Sequence, residues 1–119
     1  MTTPSMVTTH VLDTGRGEPA SGITVRLERA DPAVGPAPAE LGRGRTDADG
    51  RITRLGPAEL SPGNYRLVFE TADYLSGLNP AAPAFFPEIA VTFAVDGTRS
   101  HYHVPLLLSP YSYSTYRGS

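Results

Sequence analysis

The sequence predicts an all-β, two-sheet sandwich of seven to eight short strands with one short helix. Twelve Gly and twelve Pro divide the 119 residues into short runs. Most of those runs alternate apolar and polar residues with the period of two that sends successive side chains to opposite faces of a strand. Turn residues punctuate them at the spacing of a sandwich, with no internal repeat. At 119 residues the chain reads as one domain over 1–119, small enough for oligomerisation to add to its stability.

Met6 to Leu12 is the first predicted strand, with Val7, Thr9 and Val11 on one face and Thr8, His10 and Leu12 on the other. Gly22 to Arg29 sets Ile23, Val25 and Leu27 against Thr24, Arg26 and Glu28, so one face is core and one is wet. Asp31 to Ala39 carries three prolines, which lack ladder donors and fix φ, and is therefore a loop. Leu41 to Thr46, the turn Asp47-Ala48-Asp49-Gly50 and Arg51 to Leu55 read as a hairpin in which Gly supplies positive φ. Gly63 to Glu70 turns Tyr65, Leu67 and Phe69 inward. Thr71 to Leu78 is the one helical stretch, stopped by Asn79-Pro80. After Phe85-Phe86 in an irregular segment, Ile89 to Val95 places Ile89, Val91, Phe93 and Val95 together. Ser100 to Leu108 puts Tyr102, Val104, Leu106 and Leu108 on the core face and His101, His103, Pro105 and Leu107 on the other. Tyr111 to Tyr116 is the last strand, and the aromatic, hydroxyl-rich stretch from Tyr111 to Ser119 calls for burial by a ligand or another subunit.

Composition narrows the chemistry. Twelve acids face ten bases for a net charge of -2, and all ten bases are Arg, so there is no basic stripe for nucleic acid. Without Lys, Schiff-base chemistry is excluded; without Cys, thiol nucleophiles, disulfides and cysteine-ligated zinc are excluded as well. The first residues have neither the charged flank nor the apolar stretch of a secretory signal, and no run approaches the roughly 18 apolar residues of a membrane span. A soluble, cytoplasmic protein is expected, without a membrane partner.

His101 and His103, at i and i+2, share one strand face. Either they form part of a site, or one sits in solvent at a strand end and the other is a partly buried polar residue. With His10 they supply three imidazoles, but no acid stands at ligand spacing, and no metal is expected. Asp47-Ala48-Asp49-Gly50 opens like a calcium loop but lacks the later oxygen ligands and closing glutamate, so it is read as a turn. Ser109, Ser112, Ser114 and Ser119 lie in no Gly-x-Ser-x-Gly motif, which leaves no serine triad.

Four blocks resemble the 5-hydroxyisourate hydrolases: Thr9-His10-Val11-Leu12-Asp13 with Gly17-Glu18-Pro19-Ala20; Thr46-Asp47-Ala48-Asp49-Gly50-Arg51; Tyr102-His103-Val104-Pro105-Leu106-Leu107-Leu108-Ser109-Pro110; and Tyr116-Arg117-Gly118-Ser119. Phe85-Phe86-Pro87-Glu88 fits too. The ending is the most specific block, because transthyretin shares the Ser-Pro-Tyr-Ser-Tyr-Ser-Thr type of stretch and lacks it.

The resemblance implies a transthyretin-like (prealbumin-like) sandwich assembled as a homotetramer, a dimer of dimers joined edge to edge by their last strands, with active sites in a central channel. It implies cofactor-free hydrolysis of 5-hydroxyisourate. The catalytic set it implies is His10, Arg51 and His103; the substrate-binding set is Tyr116, Arg117, Gly118 and Ser119, with Ser114. His103 by preference would take a proton from water, His10 would orient that water or protonate the leaving nitrogen, and Arg51 would hold the anionic substrate and the developing oxyanion. The rival reading is a transthyretin-like carrier of a small ligand without turnover; a purely structural oligomer is the third.

Overall fold

The computed structural model describes residues 5–30 and 39–119, so all of the proline-rich loop except Ala39 lies outside the described residues. One sheet holds β1 (Val7–Asp13), β2 (Glu18–Pro19), β5 (Arg51–Ile52), β8 (Tyr102–His103), β9 (Leu106–Ser109) and β10 (Ser112–Thr115). The other holds β3 (Thr24–Arg29), β4 (Ala39–Arg45), β6 (Gly63–Glu70) and β7 (Glu88–Val95) in the order β4-β3-β6-β7. The helix α1 (Ala72–Leu78) falls within the predicted helical stretch. The two-sheet, all-β class is as predicted.

The inward rows meet as one core. Val7, Val11, Leu106 and Leu108 from the first sheet pack with Val25, Leu27, Leu67, Phe69 and Ile89 from the second, all essentially inaccessible to solvent. Each such side chain contributes about 1.5–3 kcal/mol by leaving water. The alternation written in the sequence is therefore the alternation of burial.

β1 runs through the middle of its sheet. On one edge it pairs in parallel with β8, Val7 opposite Tyr102 and Thr8 opposite His103, and then with β9, Val11 opposite Leu106. It also pairs antiparallel with β5, His10 opposite Arg51, and with β2, Leu12 opposite Pro19. Asp13 at its end accepts a hydrogen bond from the Tyr74 hydroxyl at 2.7 Å, which ties α1 to the strand.

Two expectations need correction. Leu41 to Thr46 and Arg51 to Leu55 are not the arms of a hairpin. β4 pairs only with β3, whereas β5 pairs with β1 in the opposite sheet. The turn between them is real, closed by Gly50 N–H donating to the Asp47 carbonyl at 2.9 Å, but it carries the chain across the sandwich. Buried Thr46 anchors the crossing: its hydroxyl donates to the Ala20 carbonyl at 2.7 Å and accepts the Ile23 N–H at 2.9 Å. Alternation reports which way side chains face, not which strand lies alongside. Second, the run from Ser100 to Leu108 is split into β8 and β9. Pro105 has no N–H to offer β1, and the Thr9 hydroxyl instead donates to the Val104 carbonyl at 2.6 Å, keeping the two segments in one register.

The outward face of β3 is less wet than expected. Glu28 is buried, with Arg66 at 2.8 Å and Arg26 at 3.2 Å. Burial pushes its carboxyl up, but Arg66 and Arg26 together outweigh that and hold it below its ordinary value.

Gly50 fixes where Arg51 leaves the turn. Its φ is +76°, and a Cβ built there would lie 2.3 Å from the Val11 carbonyl oxygen, which accounts for the absence of any side chain at this position. Gly50→Ala is expected to lower unfolding free energy by at least about 1–3 kcal/mol, the cost of a non-glycine residue in that backbone region, read by denaturant titration; unchanged stability would remove Gly50 from this role.

Candidate active site

Thr8 and His10 are two residues apart on β1 and so project from the same face. Opposite Thr8 stands His103 on β8; opposite His10 stands Arg51 on β5. Strand spacing is about 4.8 Å and the two pairs sit two residues apart along β1, about 7 Å, so with β1 between them the backbones of His103 and Arg51 are roughly 12 Å apart. That gap leaves room for a small planar molecule between an imidazole and a guanidinium.

A cleft of about 620 Å³ opens there, walled by Thr8, Thr9, Arg51, Thr53, His101, His103 and Ser119 among others. Arg51 is exposed, and none of the ion pairs among the described residues involves it. Its orientation comes from the turn: Asp47 Oδ1 accepts the Arg51 N–H at 3.0 Å and the Asp49 N–H at 2.9 Å. The Arg51 amide foremost, with the Asp49 amide and the nearby Arg51 and His10 side chains, holds the Asp47 carboxyl below its usual range, against the opposing effect of burial.

His10 Nε2 lies 2.8 Å from the Asp49 carbonyl. A carbonyl only accepts, so Nε2 carries a hydrogen. His10 is opposite Arg51 in the sheet but is not among the residues that line the cleft. His103 is half-buried, and its Nδ1 is 2.8 Å from the Thr8 hydroxyl. Burial first, then the positive charges of His101, Arg51 and His10, push the His103 imidazole below its ordinary value. A partly desolvated imidazole with a depressed pKa stays neutral at physiological pH, which suits it to accept a proton.

The chain's last residues come to the cleft by folding back under β8. The Thr115 hydroxyl donates to the Pro105 carbonyl at 2.7 Å, and the Gly118 N–H donates to the His103 carbonyl at 2.8 Å. A Cβ at Gly118 would stand 2.6 Å from His103 Cδ2, so the ring rests directly on the glycine, and Ser119 follows into the cleft wall. Ser114, Tyr116 and Arg117 do not line this cleft. Ser114 is exposed on β10 opposite Leu107, while Tyr116 and Arg117 border a separate groove with Val91, Phe93 and Tyr102.

His101 and His103 share a face as their spacing predicts, their ring centroids 6.3 Å apart. Among the described residues, no group of three or more His, Cys, Asp or Glu is placed to hold a metal ion. Thr8 joins the site although the sequence does not single it out. Nothing in its spacing marks it; only the parallel register of β1 with β8 sets its hydroxyl against both imidazoles.

A family model described as the HIUase/Transthyretin family matches residues 7–118. The chain belongs to the HIUase/transthyretin family. Within it, this chain is 47% identical over 117 residues to a 5-hydroxyisourate hydrolase of Caulobacter vibrioides, covering 97% of this chain and 99% of that relative. Among solved structures, 5-hydroxyisourate hydrolase from Klebsiella pneumoniae superposes with a TM-score of 0.80 at 34% identity, over 97% of this chain and 99% of that one. Transthyretin from Sparus aurata superposes equally well, with a TM-score of 0.81 at 28% identity over 95% and 96% of the two chains. Fold similarity thus spans both branches of the HIUase/transthyretin family.

The direction of the His103 shift has a measurable sign. Folding depresses this pKa, so the folded chain binds fewer protons than the unfolded one and loses stability as pH falls below about 6.5. NMR titration should place the His103 midpoint below about 6.5, the unperturbed imidazole value; a midpoint above it would contradict the electrostatic reading of the cleft.

Proposed function

We propose that this chain hydrolyses 5-hydroxyisourate to 2-oxo-4-hydroxy-4-carboxy-5-ureidoimidazoline. The observation that carries the reading is that Arg51 and the half-buried, pKa-depressed His103 wall one cleft on either side of β1. The named activity of the Caulobacter vibrioides and Klebsiella pneumoniae relatives supports the same reaction.

In the proposed mechanism, Nε2 of neutral His103 takes a proton from water as its oxygen adds to C6 of the substrate ring. The guanidinium of Arg51, always cationic and presenting a planar fork of donors, holds the anionic substrate and the oxyanion that develops on C6. The C6–N1 bond then breaks, and N1 takes a proton, for which His103 as imidazolium or His10 is the donor. No organic cofactor or metal enters these steps. Ser119 bounds the pocket, and Gly118 backs the His103 ring.

The same proposal includes one catalytic domain over 1–119, a cytoplasmic location in keeping with a sequence free of Cys, and a homotetramer built as a dimer of dimers. No helix among the described residues is long and apolar enough to cross a membrane. Support for assembly comes from β10, which pairs with β9 on one edge only and exposes Tyr113, with Tyr111 and Tyr116 exposed just beyond its two ends, large aromatic surface at an open sheet edge. Association would bring Ser114, Tyr116 and Arg117 to the substrate from positions they do not occupy in one chain's cleft.

Freshly prepared 5-hydroxyisourate should lose its ultraviolet absorbance faster with catalytic amounts of the protein than without it. Saturable binding without acceleration would instead identify a carrier. His103→Ala and Arg51→Ala should each lower kcat by at least about a hundredfold, the scale of general base and oxyanion contributions, while the oligomer on gel filtration stays unchanged. Turnover near that of the wild type in either variant would exclude that residue from the mechanism.

A further inference from the structure

The Thr8 hydroxyl stands 2.8 Å from His103 Nδ1 and 2.8 Å from His101 Nε2. The two rings lie nearly parallel, 24° apart, with that oxygen within bonding distance of both. Thr8 is itself held. It is buried, its carbonyl accepts the Val104 N–H at 3.0 Å, and its β-branched side chain has little freedom at χ1.

A hydroxyl offers one hydrogen, so it can satisfy only one bare imidazole nitrogen. With each ring neutral, two through-going arrangements use that hydrogen. In the first, His103 Nδ1–H donates to Thr8, the Thr8 hydroxyl donates to His101 Nε2, and His103 Nε2 is left as a lone pair. In the second every bond is reversed, so His103 Nε2 carries a hydrogen and has no lone pair to take another. The second arrangement leaves both rings in the Nε2–H form that a free histidine favours, whereas the first needs His103 and His101 both as Nδ1–H, so it has to be imposed by the surroundings of the two rings.

We infer that Thr8 is a positioning residue that holds His103 in its Nδ1–H form, and that His101 is the acceptor that orients the Thr8 hydroxyl. The inference rests on the reading of His103 as the base that accepts a proton at Nε2. Exposed His101 matters here because, without an acceptor at its position, the Thr8 hydrogen is free to turn toward His103 Nδ1 and select the wrong tautomer. His101 and Thr8 touch no reacting atom in this scheme and act through His103.

NMR of the ring nitrogens in the full-length protein, at a pH where the imidazoles are neutral, tests this without reference to turnover. His103 should show a protonated Nδ1 and a bare Nε2. Thr8→Val, nearly equal in shape, should shift His103 toward the Nε2–H form, and Thr8→Ser should restore the original pattern. His101→Phe, at an exposed position where folding is not at risk, should give a mixture of both forms.

In kinetics on 5-hydroxyisourate, Thr8→Val should lower kcat about tenfold or more with KM within about twofold, and Thr8→Ser should recover most of the loss, as for outer partners that fix an imidazole tautomer elsewhere. A wild-type His103 in the Nε2–H form, or a tautomer unmoved by Thr8→Val, would overturn the inference. Failure of the wild-type protein to accelerate the reaction would instead count against the proposed function, and the NMR comparison would still decide the role of Thr8.

Discussion

The pairing of β1 on both of its edges is the constraint on which the site depends. A strand with parallel partners on one side and short antiparallel arms on the other has its register set twice, by Tyr102 and Leu106 against Val7 and Val11 and by Arg51 against His10. A slip of one residue would turn Val7 and Val11 out of the core and every site residue of the strand into it. The core therefore enforces the site: the same alternation that buries Val7 and Val11 points Thr8 and His10 the other way. Arg51 and His103 are brought to that face by strands that are only two residues long, too short to be stable without β1 between them.

Electrostatics then differentiates groups that sequence treats alike. Three histidines are present, and each meets a different partner. His10 Nε2 is committed to the Asp49 carbonyl, His101 is exposed beside a threonine hydroxyl, and His103 is half-buried near two other imidazoles and a guanidinium. Desolvation and positive neighbours both disfavour the imidazolium, so His103 is the ring that these surroundings keep neutral. Elsewhere the charges offset one another: on the outer face of the second sheet, Arg26 meets Glu28, Glu70 and Glu88, a ladder whose members are worth no more than about 1 kcal/mol each where exposed.

The legible part of the fold is the part carried by facing. Gly63 to Glu70 forms β6 at the bounds read from its alternation, and the core and non-core sides of residues 101 to 108 are those expected, apart from Pro105, which is buried too. Partnership is what alternation misrepresents. The Asp47 to Gly50 turn looks like a hairpin because hairpins and sheet-crossing turns both need a tight reversal with Gly, and the difference lies in Val11 and Gly50, whose N–H and carbonyl bond at 2.7 Å across 39 residues of chain. Thr8 escapes notice for the same reason, since its role exists only opposite a residue 95 positions away.

Local sequence is enough for the period-two pattern, hence for the sandwich, for the identity of the core rows and for the resemblance carried by His10, Arg51, His103 and the Tyr-Arg-Gly-Ser ending. Those are properties of single residues and their near neighbours. Only the folded chain reveals that β5 belongs to the sheet of β1, that one hydroxyl serves two imidazoles, and that Gly118 lies against the His103 ring while Tyr116 turns to another groove. Long-range register is set by the summed hydrogen bonding and burial of whole strands, so no local stretch of the chain contains it.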